Sequence, residues 1–134
     1  MEKIFDYGRY LITVLGTGFT WLFGAWDTAI MVLICFMIAD YITGLVKAWY
    51  KKELSSDIGL HGITRKFLIL LVLMIAVALD RLLNTGTWVF RTLACYFYIA
   101  NEGLSILENS VALGLKVPEQ LKNALIQLQD KKSE

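Results

Sequence analysis

The sequence predicts an all-α integral membrane protein, with four transmembrane helices and a short amphipathic helix near the C-terminus. Three observations carry that reading: four long apolar stretches, an apolar composition, and a lopsided distribution of Lys and Arg. The stretch 10–26 carries no charge, 28–46 only Asp40, and 67–83 only the adjacent Asp80 and Arg81. The stretch 88–113 carries only Arg91, Glu102 and Glu108. A helix rising about 1.5 Å per residue needs roughly 20 residues to cross a hydrocarbon core of roughly 30 Å, and each stretch is close to that length. Hydrophobic residues make up 57% of the chain and charged ones 19%, with a mean hydropathy of +0.57. Soluble domains lie near 45–50% apolar and about 25% charged. The expected spans are 10–26, 28–46, 67–83 and 88–110, in one membrane domain that takes up the whole of 1–134.

The first span is the weakest element. Its seventeen uncharged residues reach only about 25 Å at helical rise, and Gly16, Gly18 and Gly24 lower its helix propensity. If it lies in the interface, three spans remain. Glu2 and Asp6 dilute a positive leader, and Trp21 and Trp26 crowd the place of a cleavage site, so the segment is expected to stay. The second span has a helix-start signal in Asp27, placed to cap it ahead of Thr28. Asn84, Thr85, Gly86 and Thr87 form a turn between the third and fourth. Pro118 followed by Glu119 is a helix start. Leu121, Ala124, Leu125 and Leu128 then repeat on one face, giving an amphipathic helix over 118–129. The residues from Asp130 to the end read as a solvated, frayed tail.

Lys and Arg concentrate on the cytoplasmic side of short-looped membrane proteins. Lys47, Lys51, Lys52, Arg65 and Lys66 are assigned to the loop after the second span, whereas Arg81 and Arg91 flank the turn between the third and fourth. Placing the basic loop inside puts both termini in the cytoplasm, with eleven of the thirteen Lys and Arg residues inside and two outside. Tyr10, Trp26, Trp49, Tyr50 and Trp88 fall at headgroup level, where amphipathic rings are favoured. His61, between Gly59 and Gly62, reads as a solvated loop histidine.

A net charge of +1 with no basic stripe outside the membrane-flanking positions argues against nucleic acid as a partner. No phosphate-binding glycine loop and no metal-ligand spacing is present, so no cofactor or metal is expected. Cys35 and Cys95 read as small buried hydrophobes. No catalytic constellation emerges, and the chain is not expected to be an enzyme.

Ionisable groups inside a membrane helix are costly, and their default reading is functional. Asp40 lies about 18 Å down its helix from Thr28, and Glu102 about 21 Å down from Trp88, so both fall at similar depth in the inner half. Asp80 and Glu108 lie nearer helix ends, within reach of water or headgroups. On the fourth helix, Asn101, Glu102, Ser105, Glu108, Asn109 and Ala112 share one face. Such a stripe bonds to a neighbouring helix of the same chain, lines water, or joins subunits. Asp40, Thr43, Gly44 and Lys47 form a second narrow stripe. Gly16, Thr20 and Gly24 have the small-xxx-small spacing that lets helices approach, within one chain or between copies.

The order of these features resembles the toxin-secretion and phage-lysis holin family (bacteriophage holin family 4). Four blocks carry the resemblance, across about 39–128. The first is Asp40-Tyr41-Ile42-Thr43-Gly44-Leu45 leading to Lys47-Ala48. The second is Ser55-Ser56-Asp57-Ile58-Gly59, continuing through Gly62-Ile63 to Arg65-Lys66. The most specific is Tyr98-Ile99-Ala100-Asn101-Glu102-Gly103-Leu104-Ser105-Ile106-Leu107-Glu108-Asn109. The last is Leu113-Gly114 through Val117-Pro118 to Leu121-Lys122. The resemblance implies a homo-oligomer in the bacterial cytoplasmic membrane, with lesions that release an endolysin or a toxin. It implies no catalytic residue and no cofactor. Two other readings stay open from the residues. Asp40 and Glu102 at matching depth would suit a proton-coupled transporter or ion channel, although no internal repeat is visible. The third reading is an anti-holin that assembles without opening.

Overall fold

A computed structural model describes residues 1–130 and places them in five α-helices, with no strand among the described residues. They are α1 (Glu2–Phe23), α2 (Thr28–Tyr50), α3 (Ser56–Leu82), α4 (Val89–Ala112) and α5 (Glu119–Asp130). Of these, α2 and α3 are long and apolar enough to cross a membrane. Of the expected tail, Asp130 is instead the last residue of α5, and the rest lies outside the described residues.

Asp27 caps α2 as its position foretells, its carboxylate accepting from the Ile30 amide at 3.1 Å. Ser55 caps α3 in the same way, from the Ile58 amide at 3.3 Å. That cap starts α3 eleven residues before the apolar stretch begins, and it corrects the expected loop. His61, Arg65 and Lys66 are helical residues, and the connection from α2 is confined to 51–55. The glycines that suggest a loop have a packing role instead. Tyr41 of α2 lies over them, so that a Cβ at Gly62 would come within 3.0 Å of its ring and one at Gly59 within 3.5 Å of its hydroxyl. His61 is nonetheless exposed.

Helix α4 is central, packing on α2, α3 and α5. The core consists of Ile30, Leu33 and Met37 from α2, Ile69 and Leu73 from α3, and Cys95 and Ile99 from α4. Each set recurs at three- and four-residue spacing, the signature of one buried helix face. Cys95 is wholly buried there, but Cys35 is exposed on the outer side of α2 and the two thiols are free. Between helices in lipid the solvent is as apolar as Leu, so close packing and interhelical polar contacts hold the bundle, rather than removal of apolar surface from water.

Helix α1 buries no residue. It lies on α3, and only Phe19 and Phe23 in its last turns reach the core. Helix α5 begins just after Pro118 and folds back along α4. Leu125 is seated at Gly103, where a Cβ would stand 3.0 Å from its methyls and 3.1 Å from the Phe36 ring. Leu121, on the same expected apolar face as Leu125, is half exposed.

Candidate functional site: two buried polar layers

Glu102 is fully buried and Asp40 nearly so. The rise-per-residue argument puts them at one depth, and between them stands Lys66 of α3, whose ammonium donates to Asp40 Oδ2 and Glu102 Oε2. One cation thus joins α2, α3 and α4. Seven residues beyond Glu102 on the same face, the Asn109 amide donates to Thr43 Oγ1 at 3.0 Å and to Asp40 Oδ1 at 3.3 Å. Thr43 is free to accept because its own hydroxyl donates to the Ala39 carbonyl at 2.8 Å. Gly44 leaves room beside that amide, its Cβ position lying 3.8 Å from Asn109 Nδ2. Ser105 lines a cavity of about 360 Å³ together with Asp40, Gly44, Lys66 and Asn109. Glu102 Oε1 accepts no hydrogen bond; the Arg65 guanidinium lies 3.9 Å from it.

The expected stripe on α4 is therefore divided. Glu102, Ser105 and Asn109 face α2 and α3, whereas Asn101 turns to α5 and accepts from the Gln129 amide at 2.6 Å. Glu108 is exposed and lies outside this cluster.

The second layer lies at the other end of the bundle, about 20 Å away along α2 by helical rise. Arg91 is only 2% exposed. It forms a two-pronged ion pair with Asp27, at 2.8 Å and 3.0 Å. The same guanidinium donates to the carbonyls of Phe23 and Ala25, which ties the α1–α2 turn to α4. Asp80 is also buried rather than reached by water. Its carboxylate accepts from the amides of Phe90 at 3.0 Å and Arg91 at 2.8 Å, supplying the first turn of α4 with the acceptors that Trp88, which has no side-chain cap, does not provide. Asp80→Ala is expected to destabilise the protein by about 1–3 kcal/mol, the cost of leaving a buried donor unmet. Denaturant unfolding in micelles reads this, and an unchanged midpoint would mean that the first turn of α4 needs no acceptor from α3.

The Arg91 guanidinium bonded to Asp27 holds that carboxyl below its ordinary value of 3.8, although burial works the other way. Because the folded value is the lower one, the pair contributes stability above the ordinary value, and this is lost as pH falls through the folded value. Asp27→Asn keeps the cap and removes the charge. The stability difference between wild type and this variant is expected to shrink as pH falls below about 4, measured by thermal melts across that range. A difference independent of pH would remove the ion pair from the account.

Within the single chain, no helix packs on the small-residue face of α1 at Gly16. At Gly16 a Cβ would meet nothing within 4 Å, and the Thr20 hydroxyl donates to the Gly16 carbonyl of its own helix. Gly24 is a different case. It ends α1 with φ +91°, a conformation that favours glycine, and a Cβ there would stand 2.8 Å from Arg91 Nε.

Sequence reasoning missed Lys66, Arg91 and Asp80 as members of these layers. Counting back from Asp80 would have found the first. Lys66 lies 14 residues earlier on one continuous helix, about 21 Å, at the depth of Asp40 and Glu102. Among the described residues no group of three or more His, Cys, Asp or Glu side chains is placed to hold a metal ion.

A family model described as the bacteriophage holin family matches residues 17–130. A 14.9 kDa protein from the nagH 3′ region of Clostridium perfringens is 59% identical, over 98% of this chain and all of its own length. A protein of Listeria monocytogenes, Lmo0128, is 45% identical over 94% of this chain and 87% of its own. A probable holin of Bacillus phage phi105 is 45% identical over 66% of this chain and 64% of its own. No solved structure matches. The match over 17–130 takes in both polar layers, every core residue and the docked α5, and on that ground the chain belongs to the bacteriophage holin family.

Proposed function

We propose that this chain oligomerises in the bacterial cytoplasmic membrane and forms lesions through which an endolysin or toxin leaves the cell. Family membership supports the holin role, and the packing of the single chain supports assembly as its route. The space between α2, α3 and α4 is filled by Ile30, Leu33, Leu73 and Cys95, all without exposed surface. A subunit with a filled interior offers no passage to a folded enzyme, so an opening of that size has to form between subunits. The single observation that carries the reading is the Asp40–Lys66–Glu102 layer with Asn109. Its two carboxylates are met within one chain by Lys66 and, at 3.9 Å from Glu102, by Arg65, which makes the resting subunit compatible with lipid. On assembly the same groups, with Thr43, Gly44, Asn101 and Ser105, supply polar contacts or line water between copies. Glu108, already exposed, is the member of the α4 stripe available to a neighbour without rearrangement. The action is physical and needs no catalytic residue or cofactor. Four spans, with both termini inside, remain the topology of this proposal.

Timed expression in cells tests it. The expected result is a delayed, abrupt loss of membrane potential and release of a co-expressed folded endolysin. Flux of one solute with viability intact would favour a carrier, and accumulation without either would favour an anti-holin. Topology is tested by single cysteines in a variant lacking Cys35 and Cys95. A cysteine at Thr85 is expected to react with an impermeant reagent added outside, and one at Ser56 is not. The reverse pattern would invert the orientation.

A further inference from the structure

Arg81 sits at the end of α3 beside the last turns of α1, and it has no acidic partner among the described residues. The neighbouring carboxylate, Asp80, is turned inward and committed to the amides of α4. Arg81 is exposed but held in place. It donates from Nη2 to the Trp21 carbonyl at 2.9 Å, and its guanidinium lies 5.6 Å from the centre of the Trp21 ring and 5.4 Å from that of Trp88. A guanidinium has five N–H donors in a planar fork that suits phosphate, and among the described residues that of Arg81 makes only the one hydrogen bond. Tryptophans at this level mark the headgroup region of a bilayer.

A shallow groove of about 540 Å³ runs from Arg81 along α1, past Trp21, Gly24, Thr20 and Gly16 to Ile12. Nine residues of helix separate Trp21 from Ile12, about 14 Å toward the membrane interior. Of its three threonines, Thr13 and Thr20 donate their hydroxyls to carbonyls of α1 itself, and Thr17 also lines it. The groove is open at Gly16, and its volume falls in the range of small-molecule sites, about 300–1,000 Å³. A cation at headgroup level and an apolar channel leading inward repeat the polarity of one bilayer lipid. A second copy of the chain is a poorer occupant, because symmetric pairing through this face brings a second unpaired Arg81 beside the first.

We propose that this groove is a site for one anionic phospholipid, with the phosphate on Arg81 and an acyl chain along the Gly16–Gly24 face of α1. The site rests on the membrane location of the chain and not on lesion formation, so its failure would leave the lytic reading intact. The test is native mass spectrometry of the delipidated full chain in detergent, titrated with phosphatidylglycerol. Wild type is expected to take up one lipid. Arg81→Gln and, separately, Gly16→Leu are expected to weaken uptake about tenfold or more, the loss of one charge-assisted contact or of the channel. Gly16→Leu leaves Arg81 untouched and favours helix, so it separates lost binding from lost folding, and circular dichroism checks both variants. Uptake unchanged in either variant would overturn the site. So would full displacement by millimolar inorganic phosphate, which would reduce it to a plain anion site. A Gly16→Leu protein that keeps its lipid but changes oligomeric mass would reassign the groove to contact between copies.

Discussion

Lys66→Met is expected to be the most damaging single substitution in the chain. It leaves Asp40 and Glu102 facing the vacated position with no ammonium between them. Removing one partner from a buried ion pair costs about 3–5 kcal/mol, because the other charge stays desolvated, and here two carboxylates lose the same partner. Arg65 offers only a long contact to one of them, at 3.9 Å. The variant should insert poorly or unfold at markedly lower denaturant in micelles, and should not lyse cells. The triple variant Asp40→Asn, Lys66→Met, Glu102→Gln removes all three charges, keeps polar side chains on α2 and α4, and should recover most of the lost stability. If Lys66→Met alone unfolds like wild type, the cation does not hold α2, α3 and α4 together. If the triple variant is no better than the single one, the loss comes from Lys66 packing rather than from charge.

Glu102→Leu should have the next largest effect, for a different reason. Lys66 keeps Asp40, but its ammonium loses its bond to α4, and nothing on a leucine can accept from it; Asn109 alone then ties α4 to Asp40. Lysis should be abolished and stability lowered by about 3–5 kcal/mol. Glu102→Gln retains an acceptor at the same reach and should largely keep lysis if the layer works by hydrogen bonding. If both variants insert normally and both fail to lyse, the charge itself is required in the assembled state. Asn109→Leu, which releases Asp40 and Thr43 from α4, should resemble Glu102→Leu in direction with a smaller loss. Normal lysis on the normal schedule from Glu102→Leu would remove the layer from the mechanism.

Helix positions on α2 and α4 were legible because their apolar stretches begin at a cap or a turn and run without interruption. The early start of α3 was not. Between Ser56 and Lys66 the chain mixes glycines, His61 and cations, which read locally as loop, while the reason for a helix lies in the Ser55 cap and in Tyr41 of another helix. The candidate site divides along the same line. Asp40 and Glu102 could be matched from rise per residue alone, since depth is a one-dimensional property. Lys66, Arg91 and Asp80 could not be assigned partners that way. Counting cations by side of the membrane treats each as an isolated charge, and their roles depend on which helix lies opposite. Gly16 shows the converse limit within one chain: a spacing compatible with close approach does not say that a helix of the same chain is there.

The Arg91 clamp also bears on the order in which the molecule is made. Its acceptors are at Phe23, Ala25 and Asp27, and the guanidinium that joins them is encoded 64 to 68 positions later. The first hairpin emerges from the ribosome with its corner unfastened, and stays so until α3 and the first residues of α4 have been synthesised. A chain stopped before residue 91 would hold every residue of that hairpin and still lack the side chain that closes it, so the earliest-made corner of the protein is among the last to be secured.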